Sequence, residues 1–385
     1  MGTKIGVLLS NRLLFSLLLV GAALYAIGQS HAQQLRNPSE IVLHVGKDGK
    51  TPRNSEGSFI SLAGGTILFA YSKFENESGD HARAHIAGRF SEDGGSTWTE
   101  HDDVILQNEG DMNVMSVSFL RLKDGSIALV YARKNSLDDC IPYIRISTDE
   151  AKTWSDPVRI IPDREGYFVV NNDRVVQLAS GRLLVPVSRH KTKGVDFSMR
   201  GTIFCYFSDD MGKTWTSSAE VPNPQDVVLQ EPGVVQLEDG DIAMWLRTDT
   251  GVQYLSRSQD QGITWQPVVP SDIPSPRAPA SIKRIPATGD LLLVWNDNDG
   301  SDAARAAFRT PLTAAISTDE GTSWTPVKVI ENDPEGFFCY TAIAFVGDQV
   351  LLGYMAAERT ELAKRIPLVL RKVPLQEFYT MQINL

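Results

Sequence analysis

Four consecutive polar residues, Asn171-Asn172-Asp173-Arg174, stand immediately before the mainly apolar run Val175-Val176-Gln177-Leu178. Two amides, a carboxylate and a guanidinium set this close together offer donors and acceptors in fixed directions, which suits a hydroxyl-rich ligand. The competing role is a hairpin turn, which Asn and Asp also serve. Arg247 marks a similar boundary, at the end of Met244-Trp245-Leu246. An unpaired guanidinium in apolar surroundings is costly, so Arg247 is expected to line a pocket. Asp111, Asn113, Ser116 and His190 are further candidates for the same face. No structural zinc site is expected, while a calcium ion held by loop carbonyls and carboxylates stays open. Cys140, Cys205 and Cys339 form no CxxC pair, there is no HExxH, and no His clusters with Cys. No cofactor is implied. The net charge of −10 also argues against a nucleic-acid partner, which would need a concentrated Lys/Arg surface.

What must position these residues is written in a repeat. The pattern S-x-D-x-G-x-T-W occurs at Ser91–Trp98, Ser147–Trp154, Ser208–Trp215, Ser258–Trp265 and Ser317–Trp324, with Ala151 replacing Gly once and Ser323 replacing Thr once. Its physics is that of a hairpin turn. Ser and Asp bond local backbone groups, Gly supplies a positive φ, and Trp packs over the turn. These are structural staples rather than catalytic groups. The tryptophans are spaced 56, 61, 50 and 59 residues apart, enough for one four-stranded sheet per repeat. Runs such as Thr66–Tyr71, Ser126–Tyr131 and Leu291–Trp295 supply the strands, and Asp124-Gly125 and Asp239-Gly240 supply turns. The expected fold is all-β, a six-bladed β-propeller, with the sixth blade closed by strands from both ends of the chain and Ile366–Val373 as the C-terminal part. Closure removes exposed sheet edges.

At the N-terminus, Lys4 and Arg12 precede the apolar run Leu13–Ile27, and Ser30-His31-Ala32 follows with small residues at the −3 and −1 positions. That order reads as a secretory signal peptide over residues 1–32, cleaved after Ala32, with the propeller over 33–385 and a secreted or periplasmic location. No membrane span is expected in the mature chain.

A six-bladed propeller carrying five such boxes resembles the sialidase (neuraminidase) superfamily and its BNR-repeat, or Asp-box, relatives. The resemblance implies a glycoside hydrolase of the exo-α-sialidase type, acting on a glycan or glycoconjugate. Sialidases cleave at an anomeric carbon that bears a carboxylate, and use a Tyr nucleophile with a Glu partner, an Asp acid/base and three Arg that clamp the carboxylate. Tyr340-Thr341-Ala342-Ile343 resembles the nucleophile segment, so Tyr340 is the implied nucleophile. Gln230-Glu231-Pro232 followed by Met244–Arg247 resembles the blade with the activating Glu and a clamp Arg, which implies Glu231 and Arg247. Arg309, upstream of the fifth box, matches the third Arg, and Asp80, after Gly79, matches the acid/base loop. Each has a plainer rival: Tyr340 as packing between blades, Glu231 as a turn residue, Arg309 and Asp80 as solvated charge.

The first clamp position departs from the pattern. The strand there reads Ser55-Glu56-Gly57-Ser58, with Glu56 near where an Arg is expected and Arg53 three residues earlier. Arg53 could take over, Arg174 could substitute, or the clamp has two Arg; a Glu facing a carboxylate is repulsive. Two other readings therefore stay open. One is a same-scaffold enzyme, hydrolase or lyase, on a different acidic glycan. The other is a non-catalytic glycan-binding propeller.

Overall fold

The run Ile67–Phe74 buries every residue but Lys73, as a continuous apolar run does when its sheet is covered on both sides. Strands Ile127–Lys134, Leu183–Lys191, Ile242–Arg247, Leu291–Asn296 and Gln349–Glu358 repeat this character farther along the chain. Each is the middle of an antiparallel meander. An earlier strand pairs on one side and a later one on the other, as Arg53–Ser61 and Ala84–Ser91 flank Ile67–Phe74. The protein is thus all-β. The computed structural model describes residues 39–46, 51–301 and 309–380; the expected signal peptide over 1–32 lies outside them. Among the described residues the only helices are two 3-10 turns, Arg359–Glu361 and Leu375–Tyr379, and no helix is long and apolar enough to cross a membrane.

Three sheets are four-stranded, their strand ladders joining no other sheet, while the rest join into one of thirteen strands. The joins are single parallel bridges, Ala84 to Asn113 and Cys140 to Tyr167, between successive meanders. One four-stranded sheet unites both ends of the chain. Glu40–Val45 pairs with Leu368–Pro374, which continues through Gln349–Glu358 to Gly336–Val346.

The first strand of each meander lies inside. Arg53–Ser61 packs on Asn113–Arg121 and on Gly336–Val346, and Ser281–Arg284 packs on Gln230–Gln236 and Gly336–Val346. Phe59, Phe119, Val175, Val234, Ile282 and Ile343, one from each inner segment, line a common cavity of about 900 Å³.

The octapeptides are turns of one design. In the first, Asp93 Oδ1 accepts from the Thr97 amide at 2.8 Å and Oδ2 from the Thr97 hydroxyl at 2.6 Å, while the Gly95 amide donates to Ser91 Oγ at 2.9 Å. Trp98 Nε1 then donates to Gly95 O. The conformation asks more than one glycine. Two successive residues have positive φ in every copy, so Glu150, Met211, Gln261 and Glu320 adopt it as well as the Gly or Ala that follows. The Thr or Ser hydroxyl four residues on, the largest influence on Asp93, Asp149 and Asp319, holds their carboxyls at about 2.

Candidate active site

Four inner strands carry a bulge where two residues oppose one, between Ser55 and Ser58, Met115 and Ser118, Gln230 and Gly233, and Cys339 and Ala342. The residue just after the first of each pair has left-handed φ: Glu56 at 56°, Ser116 at 60°, Glu231 at 46° and Tyr340 at 58°. Each stands three residues ahead of a residue that lines the common cavity. A bulge re-aims a side chain. A non-glycine residue held left-handed costs roughly 1–2 kcal/mol, a strain that concentrates at functional sites. On three of these strands Glu56, Glu231 and Tyr340 come close enough to act on one another's charge.

At that place the Tyr340 hydroxyl donates to Glu231 Oε1 at 3.0 Å. Arg247 Nη1 lies 2.8 Å from the other carboxylate oxygen. Register explains this contact, because Gln230 pairs directly with Arg247 across the hairpin. Arg309 holds its guanidinium 5.4 Å from the Tyr340 ring centre and 4.7 Å from that of Phe337. Burial would raise the Glu231 carboxyl, but Arg247, with help from Arg309, brings it below its usual range. Burial, and then the Glu231 carboxylate, push the Tyr340 phenol up. The pair is therefore a neutral phenol donating to an ionised carboxylate. Among the described residues, buried Arg247 Nε and Arg309 Nη1 have no hydrogen-bond partner. Both arginines line an opening of about 600 Å³ with Thr250, Arg277 and Phe337.

A second charged group occupies the neighbouring strand. Arg53 donates to Asp80 at 2.5 Å, to Ser55 at 2.9 Å and to Glu56 at 3.4 Å, and its guanidinium stacks 4.4 Å from the Phe74 ring. Arg53 thus has most of its donors committed to the protein. Asp80 projects from the loop after Phe74 with its side chain 62 % exposed. Burial raises its carboxyl, and Arg53 more than offsets this, leaving it low. The loop is pinned through its backbone, where Asp80 O accepts from Asn113 Nδ2 at 3.0 Å and from Lys134 Nζ at 2.6 Å. Glu56 goes the other way, raised by burial despite Arg53.

Asn171, Asn172, Asp173 and Arg174 come to the same central region, where the last three bond neighbouring segments while Asn171 Nδ2 and Arg174 Nε have no partner among the described residues. Asn172 Nδ2 donates to Gly57 O at 2.7 Å and to Tyr340 O at 3.2 Å, tying two bulges together. Asp173 accepts from Ser58 Oγ, from Lys283 Nζ and from the Ile343 amide at 2.9, 2.7 and 3.0 Å. Arg174 donates to Ser281 Oγ and Ala280 O, and burial lowers it to about 10. Asn171 accepts from the Asn172 amide. His190 is buried, bonded to Ser188 and Ser198 and stacked on Phe197. Lys134 and Tyr167, whose ring lies 5.2 Å from Lys134 Nζ, were not anticipated. The signal for Lys134 was present, since it ends the apolar strand Ile127–Lys134 as Arg247 ends its own.

Residues 117–354 match the BNR repeat-like domain. The chain belongs to the BNR repeat-like family. Among curated proteins, this BNR-family chain is 23 % identical over 346 residues to a sialidase of Bacteroides fragilis, covering 80 % of this chain and 61 % of that one. It is 28 % identical over 194 residues to an anhydrosialidase of Macrobdella decora, covering 47 % of this chain and 24 % of that one. The chain therefore spans under two thirds of the length of either relative. A leech intramolecular trans-sialidase superposes with a TM-score of 0.69 at 16 % identity, over 89 % of this chain and 71 % of that one. A Dyadobacter fermentans protein of unknown function gives 0.68 at 19 %, over 88 % and 100 %. These identities speak for the fold, that of the sialidase neighbours.

Proposed function

We propose that this BNR-family protein is a retaining glycoside hydrolase of the sialidase type that removes a terminal acidic sugar from a glycan. The observation that carries the reading is the Tyr340 hydroxyl donating to Glu231 at 3.0 Å with Arg247 on the far oxygen. A phenol is a poor nucleophile until a base takes its proton, and an ionised carboxylate in hydrogen-bond contact is that base. Arg309 beside the ring steadies the phenolate as it forms. Tyr340 attacks the anomeric carbon, Glu231 keeps the proton, and Asp80 protonates the departing oxygen before serving as base for the incoming water. Asp80 is ionised while paired with Arg53, so substrate must loosen that pair for Asp80 to arrive protonated. Arg247 and Arg309, each with a buried unpaired N–H, receive the sugar's carboxylate. Arg53, Glu56, Arg174 and the Asn171–Asp173 segment order this floor.

The rest of the reading follows the family. The meanders form six blades, the octapeptides are five Asp boxes, and the mature chain starts after Ala32 and works in the periplasm or outside the cell. The test is release of fluorophore from an α-ketoside of N-acetylneuraminic acid by wild type, Tyr340→Phe and Glu231→Gln. Turnover that falls about 100-fold or more in both variants supports the assignment. Turnover that survives in Tyr340→Phe removes Tyr340 as nucleophile.

A further inference from the structure

Glu56, Glu231 and Tyr340 hold one structural position on three strands. Each follows the first residue of a bulge, each has left-handed φ, and each is buried or nearly so. Strand Arg53–Ser61 packs directly against strand Gly336–Val346, and Glu56 is close enough to Tyr340 to add to the upward push that burial and Glu231 give its phenol. Its Oε2 takes long contacts from Arg53 at 3.4 Å and Ser55 at 3.2 Å. Its Oε1 takes no hydrogen bond among the described residues. Arg53 also donates to Ser55, Ser78 and Glu56, so even when substrate loosens its pair with Asp80 it presents no fully open fork to a ligand anion. Among the described residues, buried N–H groups without a partner stand on Arg247 and Arg309, beside Glu231 and Tyr340, and also on Arg174 and Asn171. The reacting centre thus has two arginines against Glu231 and Tyr340 and, on the neighbouring strand, a carboxyl with an open oxygen.

We propose that Glu56 determines substrate class: the site takes a sugar whose carboxylate meets only Arg247 and Arg309, and which turns a hydroxyl or other hydrogen-bond donor toward Glu56. A carboxyl at this position accepts from a ligand that brings a donor, whereas a second carboxylate brought against it finds no donor and is repelled once both are ionised. The inference rests on the proposed glycosidase site, yet its test needs no turnover.

The probes are a matched pair: 2,3-didehydro-2-deoxy-N-acetylneuraminic acid and its analogue with the carboxylate reduced to CH2OH. Calorimetric Kd values for both are measured at pH 7 with wild type, Glu56→Gln and Glu56→Arg, each checked for an intact melting transition. The ratio of acid to alcohol affinity should shift toward the acid by at least about tenfold in Glu56→Arg, and by less, in the same direction, in Glu56→Gln. An unchanged ratio, a shift toward the alcohol, or no binding of either probe by any form overturns the proposal. If Glu56→Arg does not fold, the direction in Glu56→Gln decides alone. Failure of the Tyr340 assignment would register only in turnover and leave these ratios as they are.

Discussion

Asp173 is the residue whose removal tests most directly how the centre is built. Its carboxylate is buried and receives the Ser58 hydroxyl, the Lys283 ammonium and the Ile343 amide, so one side chain ties three inner strands to the turn that carries it. Asp173→Ala strips all three. The Ile343 amide and Ser58 hydroxyl are left in a buried setting, where an unmet group costs about 1–3 kcal/mol and bonds to a charge are at the upper end. Lys283, a third exposed, recovers much of its loss from water and adds only about 0.5 kcal/mol. Alanine must also hold φ of 58°, which Asp tolerates better. The two orphaned groups and Lys283 together give about 2.5–6.5 kcal/mol, and the middle of that range, about 3–5 kcal/mol, is the expected loss. An unfolding entropy of about 2.1 cal/mol/K per residue, taken over a unit of about 340 residues, converts this to a Tm decrease of roughly 4–7 °C. Asp173→Asn keeps the left-handed tolerance and one acceptor oxygen, and should lose less than half as much. Chemical denaturation of the three proteins, with matched thermal scans, checks both numbers. A loss below about 1 kcal/mol in Asp173→Ala would refute the idea that this carboxylate braces the inner strands.

Ala151 is the one copy of the repeat with a side chain at its second left-handed position, φ 62°; Ala151→Gly should stabilise by about 0.5–1 kcal/mol, read as a rise in denaturation midpoint. Arg247→Met should destabilise by about 3–5 kcal/mol by leaving the Glu231 carboxylate buried without its cation, and Arg247→Met with Glu231→Gln should regain most of that loss in the same assay. The repeat aspartates Asp93, Asp149 and Asp319 sit at about 2 in the fold, below the unfolded value of about 3.9. Their contribution is complete above about pH 4 and is lost as pH falls toward 2; Asp93→Asn should flatten that acid limb in a pH series of melting curves.

The repeat was legible because everything in it is local. Asp93 reaches Thr97, Gly95 reaches Ser91 and Trp98 reaches Gly95 within eight residues, so side-chain type and spacing suffice to name the turn. The same holds for Arg247, whose place at the end of an apolar strand predicts a lined pocket without knowledge of its partner. The floor of the site was harder to read. Asp173 and Asn172 stood out as polar residues before a strand, which fits a ligand contact and a brace equally well. What separates the two is a set of partners at Ser58, Lys283 and Ile343, each more than a hundred residues away in sequence. The bulges were illegible for a different reason. A left-handed backbone is normally signalled by Gly or Asn, but here it is imposed on Glu56, Ser116, Glu231 and Tyr340 by the strands packed around them. Local propensity and tertiary structure disagree at these four positions. Such a conflict persists where the surroundings over-determine it, and strain of this kind concentrates at functional sites. On that argument Glu56 shares its status with Glu231 and Tyr340: a carboxyl forced into the same strained position beside the same cavity is part of how this protein selects what it binds.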